Sequence, residues 1–364
     1  LLARGGVWTG DYLYRQAGGG PAGSHVIKAA PGAGPLPVLT GQLQIGVEAT
    51  PIDGLMLKDI EFHGPGPKVA GSGQNLRLRR LVVSGGTQGI IVQADGSLFW
   101  SGVTIHLCRI MDLSNTGGDH VQGIYCARVH TLRITENVVD RAVFPKDIFC
   151  HHIYIQNGCT GVTVKGNILT RSSSHALQAR TGGHLWNNLI LDCPIGILAG
   201  GGTEPESDGV TVNMHDNVVL GGGNINDDAA LPRGWAYYLE NVARGVVSKN
   251  LSINGAGGDQ RGLTKDCSAD NGFGAEVGVL NTTGQNFHIN HGTVHTDAGA
   301  STGTTVSLST APITIGDFNY NHLGLSWDAI RAGQVNAATV IAQIQMLAGL
   351  LTPPKTEFWD NYLI

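Results

Sequence analysis

The sequence is poor in charge: charged residues make up 14 % of its 364 residues, against about 25 % in an ordinary domain. Its 23 Lys and Arg residues are outnumbered by 28 Asp and Glu residues, the formal net charge is −5, and no basic run occurs. A protein that binds nucleic acid by neutralising phosphates needs a cationic patch. The sequence therefore argues against a nucleic-acid partner.

Long apolar runs are also missing. No uncharged apolar stretch reaches the length of about 18 residues that a membrane-spanning helix needs, so we expect no membrane span. Disorder is excluded because 41 % of the residues are hydrophobic. The 54 glycines follow no Gly-X-Y period, which excludes collagen. A globular or repeat protein remains.

The six cysteines form no Cys-X-X-Cys pair, which argues against a zinc ribbon or a thioredoxin-like motif. Most of them lie in apolar runs, as Cys126 does, so we expect buried, reduced thiols. Reduced thiols are more typical of cytosolic folding, including that of a virion protein, than of classical secretion. The chain opens at Leu1 without a signal-peptide pattern, which we interpret as a processed or truncated start.

What the sequence does contain is a repeat. A short alternating run followed by Asn and two aliphatic residues recurs, with the asparagines at Asn137, Asn167, Asn188, Asn217 and Asn250. A second phrase, a small residue followed by an apolar run, lies between them at 123–126, 152–155 and 196–199, among others. In both phrases apolar residues occupy alternate positions, as they do in a strand with one buried face. The shortest spacing leaves no room for helices, so successive coils must stack into a parallel β-solenoid.

The recurrent asparagines have a physical reason. Asn tolerates left-handed backbone at a tight corner, and its amide can hydrogen-bond to the Asn of the next coil. The sequence therefore predicts a ladder of stacked asparagines along one corner.

These residues resemble the parallel β-helix of the pectate-lyase-like superfamily across about residues 25–300. The resemblance implies an all-β, single-stranded right-handed parallel β-helix with an Asn ladder, and it bears on architecture more than on chemistry. We divide the chain into an N-terminal cap at 1–24, a β-helix domain at 25–300 and a C-terminal tail at 301–364. The tail carries a helix at about 337–351, apolar on one face and followed by Pro353 and Pro354. We expect this helix to lie against the last coils or in an oligomer contact.

Stacking of the second phrase predicts three outward columns on one sheet. They are Gln122, His151, His175, Ile195 and Trp235; then Tyr125, Tyr154, Gln178, Leu198 and Tyr238; then Ala127, Gln156, Arg180, Gly200 and Glu240. Aromatic faces with planar amide and guanidinium groups suit an extended glycan. A solvated face with generic polar residues is the alternative. The longest insertions flank this strand, so we expect them to wall a groove.

Elimination from a uronic acid polymer needs a base, an acid and a cation beside the carboxylate. We assign these catalytic roles to His151, His175, Tyr154 and Arg180, which resemble in residue type the sites of metal-independent polysaccharide lyases. The predicted substrate-binding residues are Asp119, His120, Tyr125, Gln156, Gln178, Tyr238 and Glu240.

Hydrolysis would instead need two carboxyl groups about 5–9.5 Å apart. The carboxylates available for it are Asp119, Asp147, Glu204, Glu206, Asp208, Asp227, Asp228 and Glu240. Calcium-assisted elimination would need clustered carboxylates, for which the groups at 204–208 and 227–228 give only weak support. We therefore assign no cofactor and no metal ligand, with Ca²⁺ as the alternative.

Three functions stay open at this point. The first is an enzyme that cleaves, or alternatively epimerises, an acidic polysaccharide along the outer face, most simply by β-elimination. The second is a virion tailspike or capsule depolymerase with hydrolase chemistry, for which we expect a homotrimer. The third is a non-catalytic glycan-binding surface protein. All three imply an extracellular, cell-surface or virion-associated location.

Overall fold

A computed structural model describes residues 1–14, 25–46, 51–117, 120–145, 147–201, 209–221, 223, 225, 233–254, 261–266, 275–281, 287–295, 301–307 and 325–347. Over this part of the chain the backbone winds into a parallel β-helix whose coils place strands in three sheets. The expectation of an all-β parallel solenoid is confirmed.

Each coil contributes its strands in a fixed order. The first sheet contains His25–Lys28, Ile52–Asp53, Leu55–Lys58, Gly73–Gln74, Arg77–Arg79, Trp100–His106, Val129–Thr135, Thr163–Lys165, Gly183–Trp186 and Val210–His215. The second contains Val7–Trp8, Val38–Leu39, Glu61–His63, Val82–Ser84, Arg109–Ser114, Val138–Val143, Ile168–Thr170, Leu189–Leu191 and Val218–Leu220. The third contains Tyr12–Tyr14, Leu43–Ile45, Lys68–Val69, Gln88–Gln93, Val121–Ala127, Cys150–Ile155, His175–Ala179, Ile195–Gly200, Trp235–Glu240 and Arg261–Asp266.

The later strands depart from this plan. Val242–Asn254 is long enough to pair with both the first and the second sheet, and Ala275–Asn281 pairs parallel to it. Phe287–His295 and Ser301–Ser307 then add to the sheet antiparallel to their neighbours. The solenoid pairing is therefore parallel through Ala275–Asn281 and reverses after it.

The interior is a continuous apolar column. Inward residues of neighbouring coils lie in register, as Leu78, Ile105 and Ile134 do in the first sheet, and all three are fully buried. Neighbouring strands are about 4.8 Å apart, so each inward side chain packs against those above and below it. Burial of such a side chain contributes about 2 kcal/mol, which is why the inward positions are almost all aliphatic.

The Asn ladder forms as the sequence predicts. The Nδ2 of each asparagine donates to the Oδ1 of the next, at 3.0, 3.0, 2.9 and 2.9 Å along Asn137, Asn167, Asn188, Asn217 and Asn250. The predicted reason is partly wrong, however. The left-handed backbone belongs to the residue before each of the first four asparagines, such as Glu136 at φ 56° and Asp216 at φ 53°. The asparagines contribute their amide groups to the corner, not its unusual dihedral angles.

Two helices follow the solenoid, α1 at Trp327–Arg331 and α2 at Ala337–Leu347. The predicted helix at about 337–351 is therefore present, and its last four residues lie outside the described part. Apolar residues of both helices, including Ile330 and Ile344, pack on the outer face of the second sheet from Val138 to Leu251. The helices thus cover middle coils as well as late ones, a wider span than the sequence predicts.

The described cysteines agree with the expectation of buried thiols. Cys108, Cys126, Cys150, Cys159 and Cys193 are buried and free, whereas Cys267 lies outside the described residues. Within the described part, neither helix has the length and hydropathy to cross a membrane.

Candidate functional site

The third sheet stacks its residues in the predicted register. Gln122 lies opposite His151, which lies opposite His175. One step along the strands, Tyr125 lies opposite Tyr154 and Tyr154 opposite Gln178. We call these six residues the His/Tyr cluster. Residues separated by 21 or more positions in the sequence thus share one patch.

The two cluster residues of each strand, such as His151 and Tyr154, are three positions apart, yet both face outward. They do so because two inward residues lie between them instead of one. At the first of these positions, an added Cβ on Gly123 would meet Val139 of the second sheet, and one on Gly196 would meet Val219. The small residue of the second sequence phrase therefore marks an inward bend.

The expectation that this face is exposed is wrong. Only 3 % of His151, 6 % of His175, 7 % of Tyr154 and 7 % of Gln178 is accessible. The rings cover one another. In the segment before Cys150–Ile155, the Ile148 carbonyl accepts from Ser174 Oγ at 3.3 Å, and Ser174 in turn contacts His175. The insertion thus contacts the column directly.

The cluster is a stack of rings. His151 is sandwiched between Tyr154 and His175, with ring centroids 4.5 Å apart on both sides and interplanar angles of 14° and 17°. Tyr125 meets Tyr154 edge-on at 5.5 Å. Offset and edge-on contacts between aromatic rings are favourable by about 1 kcal/mol each, so the stack holds the Tyr154 phenol in a fixed position.

Hydrogen bonds set the tautomers of the two histidines. His151 Nε2 lies 2.8 Å from Gln178 Oε1; because a carbonyl oxygen only accepts, Nε2 carries the proton. His151 Nδ1 is then a lone pair, buried and without a partner among the described residues. The Ser174 hydroxyl donates to Ile148, so it accepts the proton of His175 Nδ1 at 2.9 Å. Both imidazoles are neutral.

Burial keeps them neutral. It lowers the pKa of His175 to about 3, and Arg233 and Arg180 lower it further against two opposing backbone carbonyls. The pKa of His151 is lowered well below its ordinary value by burial and then by His175. Burial also raises the pKa of Tyr125 to about 12, with a further contribution from Tyr154. The cluster therefore holds neutral acid–base groups in a field made positive by two arginines.

The carboxyl ends of the strands add a polar edge. Arg180 places its guanidinium 6.0 Å from the Tyr154 ring centroid and donates to the Gly201 carbonyl at 3.3 Å. Its Nε is buried without a partner in the described part, as are Asn157 Oδ1 and Thr181 Oγ1. Buried polar atoms of this kind are costly unless a ligand or water satisfies them. Asn157 and Thr181 are site residues that sequence reasoning missed, because neither belongs to the repeated phrase.

The remaining predicted residues fall into separate places. Tyr238 stacks on Trp235 at 4.9 Å and packs with Ile195, Leu198 and Ile225 in an apolar cluster that begins one coil beyond His175, since Ile195 lies opposite His175. His120 lies against Phe149, 4.7 Å between centroids. These two positions therefore lie outside the polar edge.

Gln156 and Glu240 border the edge. Gln156 Oε1 accepts from the Asn157 backbone at 3.1 Å. The Glu240 carboxylate lies so close to Gly201 that a Cβ there would clash with it. Asp119 and most carboxylates named for hydrolysis lie outside the described residues. Asp147, which is described, caps the Phe149 backbone at 2.7 Å.

Metal ligands are few in what is described. Over that part of the chain, no group of three or more His, Cys, Asp or Glu side chains is arranged to hold an ion. The carboxylates at 204–208 and 227–228, on which the calcium alternative depends, lie outside it.

Comparison with known proteins adds no family. No protein-family model matches the chain, and no curated protein matches it. The fold and the geometry of the site are therefore the basis for a functional proposal.

Proposed function

We propose that the protein is a polysaccharide lyase of the pectate-lyase-like superfamily that acts on an extended, acidic, uronic-acid-containing glycan bound across the third sheet. One observation supports this most: Tyr154, a neutral His151 with an unpartnered Nδ1, and the half-buried Arg180 are neighbours on adjacent coils. These are the acid, base and cation that elimination needs.

Each residue has its own role in the proposed elimination. Arg180 binds the uronate carboxylate and stabilises the negative charge that develops on it. His151 Nδ1 takes the proton from the carbon next to that carboxylate, and the electron pair forms a double bond to the adjacent carbon. The bond from that carbon to the glycosidic oxygen breaks, and the Tyr154 hydroxyl gives its proton to the leaving oxygen. Solvent then returns the proton from His151 to Tyr154.

The structure changes the role that we assign to His175. Its Nδ1 is bound to Ser174, and its ring lies on the far side of His151 from Tyr154. We therefore propose His175 as a positioning residue behind His151. Tyr125, Gln156, Gln178 and Glu240 remain proposed contacts to the sugar.

The burial of the histidines favours a second candidate, a glycan-binding surface without turnover. A base that is 3 % accessible reaches substrate only if the groups packed on it shift. Both candidates belong outside the cell, at a cell surface or on a virion, where such glycans occur. The homotrimeric tailspike is the assembly that we propose for the virion case.

One experiment separates the candidates. A panel of acidic and neutral polysaccharides is incubated with the protein, and both unsaturated-uronate absorbance and new reducing ends are measured. A lyase gives both signals in equal amounts, a hydrolase gives reducing ends alone, and a binding protein is retained on the glycan without either.

Variants then test the residues on whichever substrate is cleaved. We expect Tyr154→Phe and His151→Gln each to lower kcat by a factor of about 100 or more, the usual effect of losing a general acid or base. Tyr12→Phe removes a phenol from the same sheet, where it only donates to the Thr9 carbonyl, and should retain kcat. Full activity in both site variants would rule out this mechanism.

A further inference from the structure

The outer face of the first sheet concentrates positive charge on a protein whose net charge is negative. Outward positions of its strands carry six lysines and arginines, which we call the basic stripe: Lys28, Lys58, Arg77, Arg79, Arg133 and Lys165. From His25–Lys28 to Val210–His215, Asp53 is the one acidic residue at a described outward strand position, and Gln74 and Asn75 donate to its carboxylate. At about 4.8 Å per coil, this face is roughly 34 Å long.

The charges of the stripe are adjacent. Lys28 lies directly opposite Lys58, and Lys58 directly opposite Arg79. Like charges in directly opposed positions on neighbouring strands destabilise a sheet. Asp59, beside Lys58 and paired with Arg80, offsets part of this repulsion, and an anion lying along the sheet would relieve the rest.

Among the described residues, the three arginines of the stripe have no carboxylate partner. Elsewhere arginines are paired, as Arg80 is with Asp59 at 2.6 and 2.7 Å. Within the described residues, no ion pair joins Arg77, Arg79 or Arg133 to a carboxylate, and all three are exposed. Lys165 lies over the Trp186 ring at 3.9 Å. These cations are available to a ligand.

The intervening residues indicate what kind of polyanion fits. Thr104 and Thr163 alternate with arginines along the sheet, since Arg77 pairs with Thr104, Thr104 with Arg133, and Arg133 with Thr163. Hydroxyls and guanidiniums match the hydroxyls and acidic groups of a sugar chain. Proteins that bind single-stranded nucleic acid stack successive bases on several aromatic rings, whereas these outward positions hold a single Trp and no Tyr or Phe.

We propose that the basic stripe is a second glycan-binding surface, which holds a linear acidic polysaccharide along the first sheet, parallel to the solenoid axis. It lies on a different sheet from the His/Tyr cluster. The inference stands on the charge arrangement alone and does not depend on turnover at the third sheet.

Binding of a fluorescently labelled polyuronate oligosaccharide is the test, compared in Arg79→Gln/Arg133→Gln and in Arg128→Gln/Arg141→Gln. Both double variants remove two exposed cations, but Arg128 is at a corner and Arg141 is on the second sheet. We expect the Arg79→Gln/Arg133→Gln variant, the stripe double, to bind about tenfold more weakly or worse. The salt dependence of its binding should fall by about two ion equivalents. The control double should bind like the parent protein.

Three results would overturn the proposal: equal losses in both doubles, no loss in the stripe double, or tighter binding of single-stranded DNA of equal charge than of the polyuronate. Turnover of a short oligosaccharide is followed in parallel. Loss of binding in the stripe double with unchanged turnover supports the stripe. An absence of turnover in all proteins, with the binding difference intact, refutes the lyase proposal and leaves the stripe standing.

Discussion

Asn167 shows how much one buried amide does in this fold. Its Oδ1 accepts from the backbone N and the Nδ2 of Asn137 at 2.9 and 3.0 Å. Its Nδ2 donates to the Ile134 carbonyl at 3.0 Å and to Asn188. The recurrence of Asn made the ladder predictable from the sequence. The left-handed residue before it was not, because that position holds Leu107, Glu136 or Asp216 without a common residue type.

Replacing Asn167 by Cys should destabilise the protein by about 3 kcal/mol or more, because two buried N–H groups of Asn137 lose their acceptor. Urea unfolding followed by circular dichroism measures the effect. The matched control is Cys108→Asn. Cys108 Sγ contacts the Leu78 carbonyl, which lies one coil before the Ile105 carbonyl that Asn137 uses. The control should unfold at an unchanged or higher urea concentration, and equal midpoints for Asn167→Cys and the parent would contradict the ladder's role.

His152 is the inward neighbour of His151 and lies inside the solenoid, with both ring nitrogens unpartnered among the described residues. Small residues above and below it, Gly123 and Ala176, leave room for its ring. Burial lowers its pKa to about 3, against an opposing effect of Asp140. Because the folded state disfavours the protonated ring, His152 contributes stability above its unfolded pKa of about 6.5 that is lost as the pH falls toward 3.

His152→Leu should therefore leave stability at neutral pH unchanged or raised, since an apolar group replaces an unpaired polar one. It should also flatten the acid side of the stability–pH curve by up to about 1.4 kcal/mol per pH unit. Urea midpoints between pH 4 and 7 measure both effects. Ile153→Val changes the next buried position without a titratable group, serves as control and should leave the slope unchanged. An unaltered slope in His152→Leu would mean that this imidazole is not held neutral.

At the scale of elements, a charged contact adds to the apolar packing that holds the C-terminal helices on the solenoid. Arg331 of α1 reaches Asp112 and Asp140 on the second sheet. Burial acts to raise the pKa of Asp140, but hydrogen bonds from Arg171 and Thr170 outweigh it, so the pKa is lowered. Asp140 therefore stays charged, and its contribution is present above the unfolded pKa and lost as the pH falls through the folded one.

Arg331→Ala should loosen both helices without melting the solenoid, because the apolar contacts of α2 lose the anchor that α1 provides. Hydrogen exchange should accelerate at least tenfold across Ala337–Leu347 while the strands around the Asn ladder stay protected. Arg141→Ala is the control, since Arg141 pairs with the same Asp112 at a more exposed site, where ion pairs contribute little. Equal exchange in both variants would show that the apolar face of α2 docks it unaided.

The third-sheet register was predictable because most coils repeat a small residue before their apolar run, with His152 as an exception. The burial of the His/Tyr cluster was not. Ile148, whose carbonyl accepts from Ser174 next to the cluster, belongs to an insertion without a repeat pattern, so nothing in its spacing indicates which face it contacts. The same holds for Asn157 and Thr181, whose buried atoms become visible only when adjacent coils are stacked.

At the scale of the whole molecule, the solenoid sorts residues by face in a way that the linear sequence hides. The sequence contains no basic run, yet the basic stripe brings together cations such as Lys58 and Arg79 that are 21 residues apart. The lack of a basic run excludes cations that are clustered along the chain. It does not exclude cations from different coils that stacking brings together. Two glycan-directed surfaces on separate sheets would let one polymer be held on the first sheet while the third acts on it.

The most direct test is a crystal structure of the Tyr154→Phe protein soaked with an acidic oligosaccharide. The account predicts sugar rings across the third sheet, with a uronate carboxylate within hydrogen-bond distance of the Arg180 guanidinium. Sugar ordered on the first sheet alone, with the His/Tyr cluster closed and bare at saturating ligand, would contradict it.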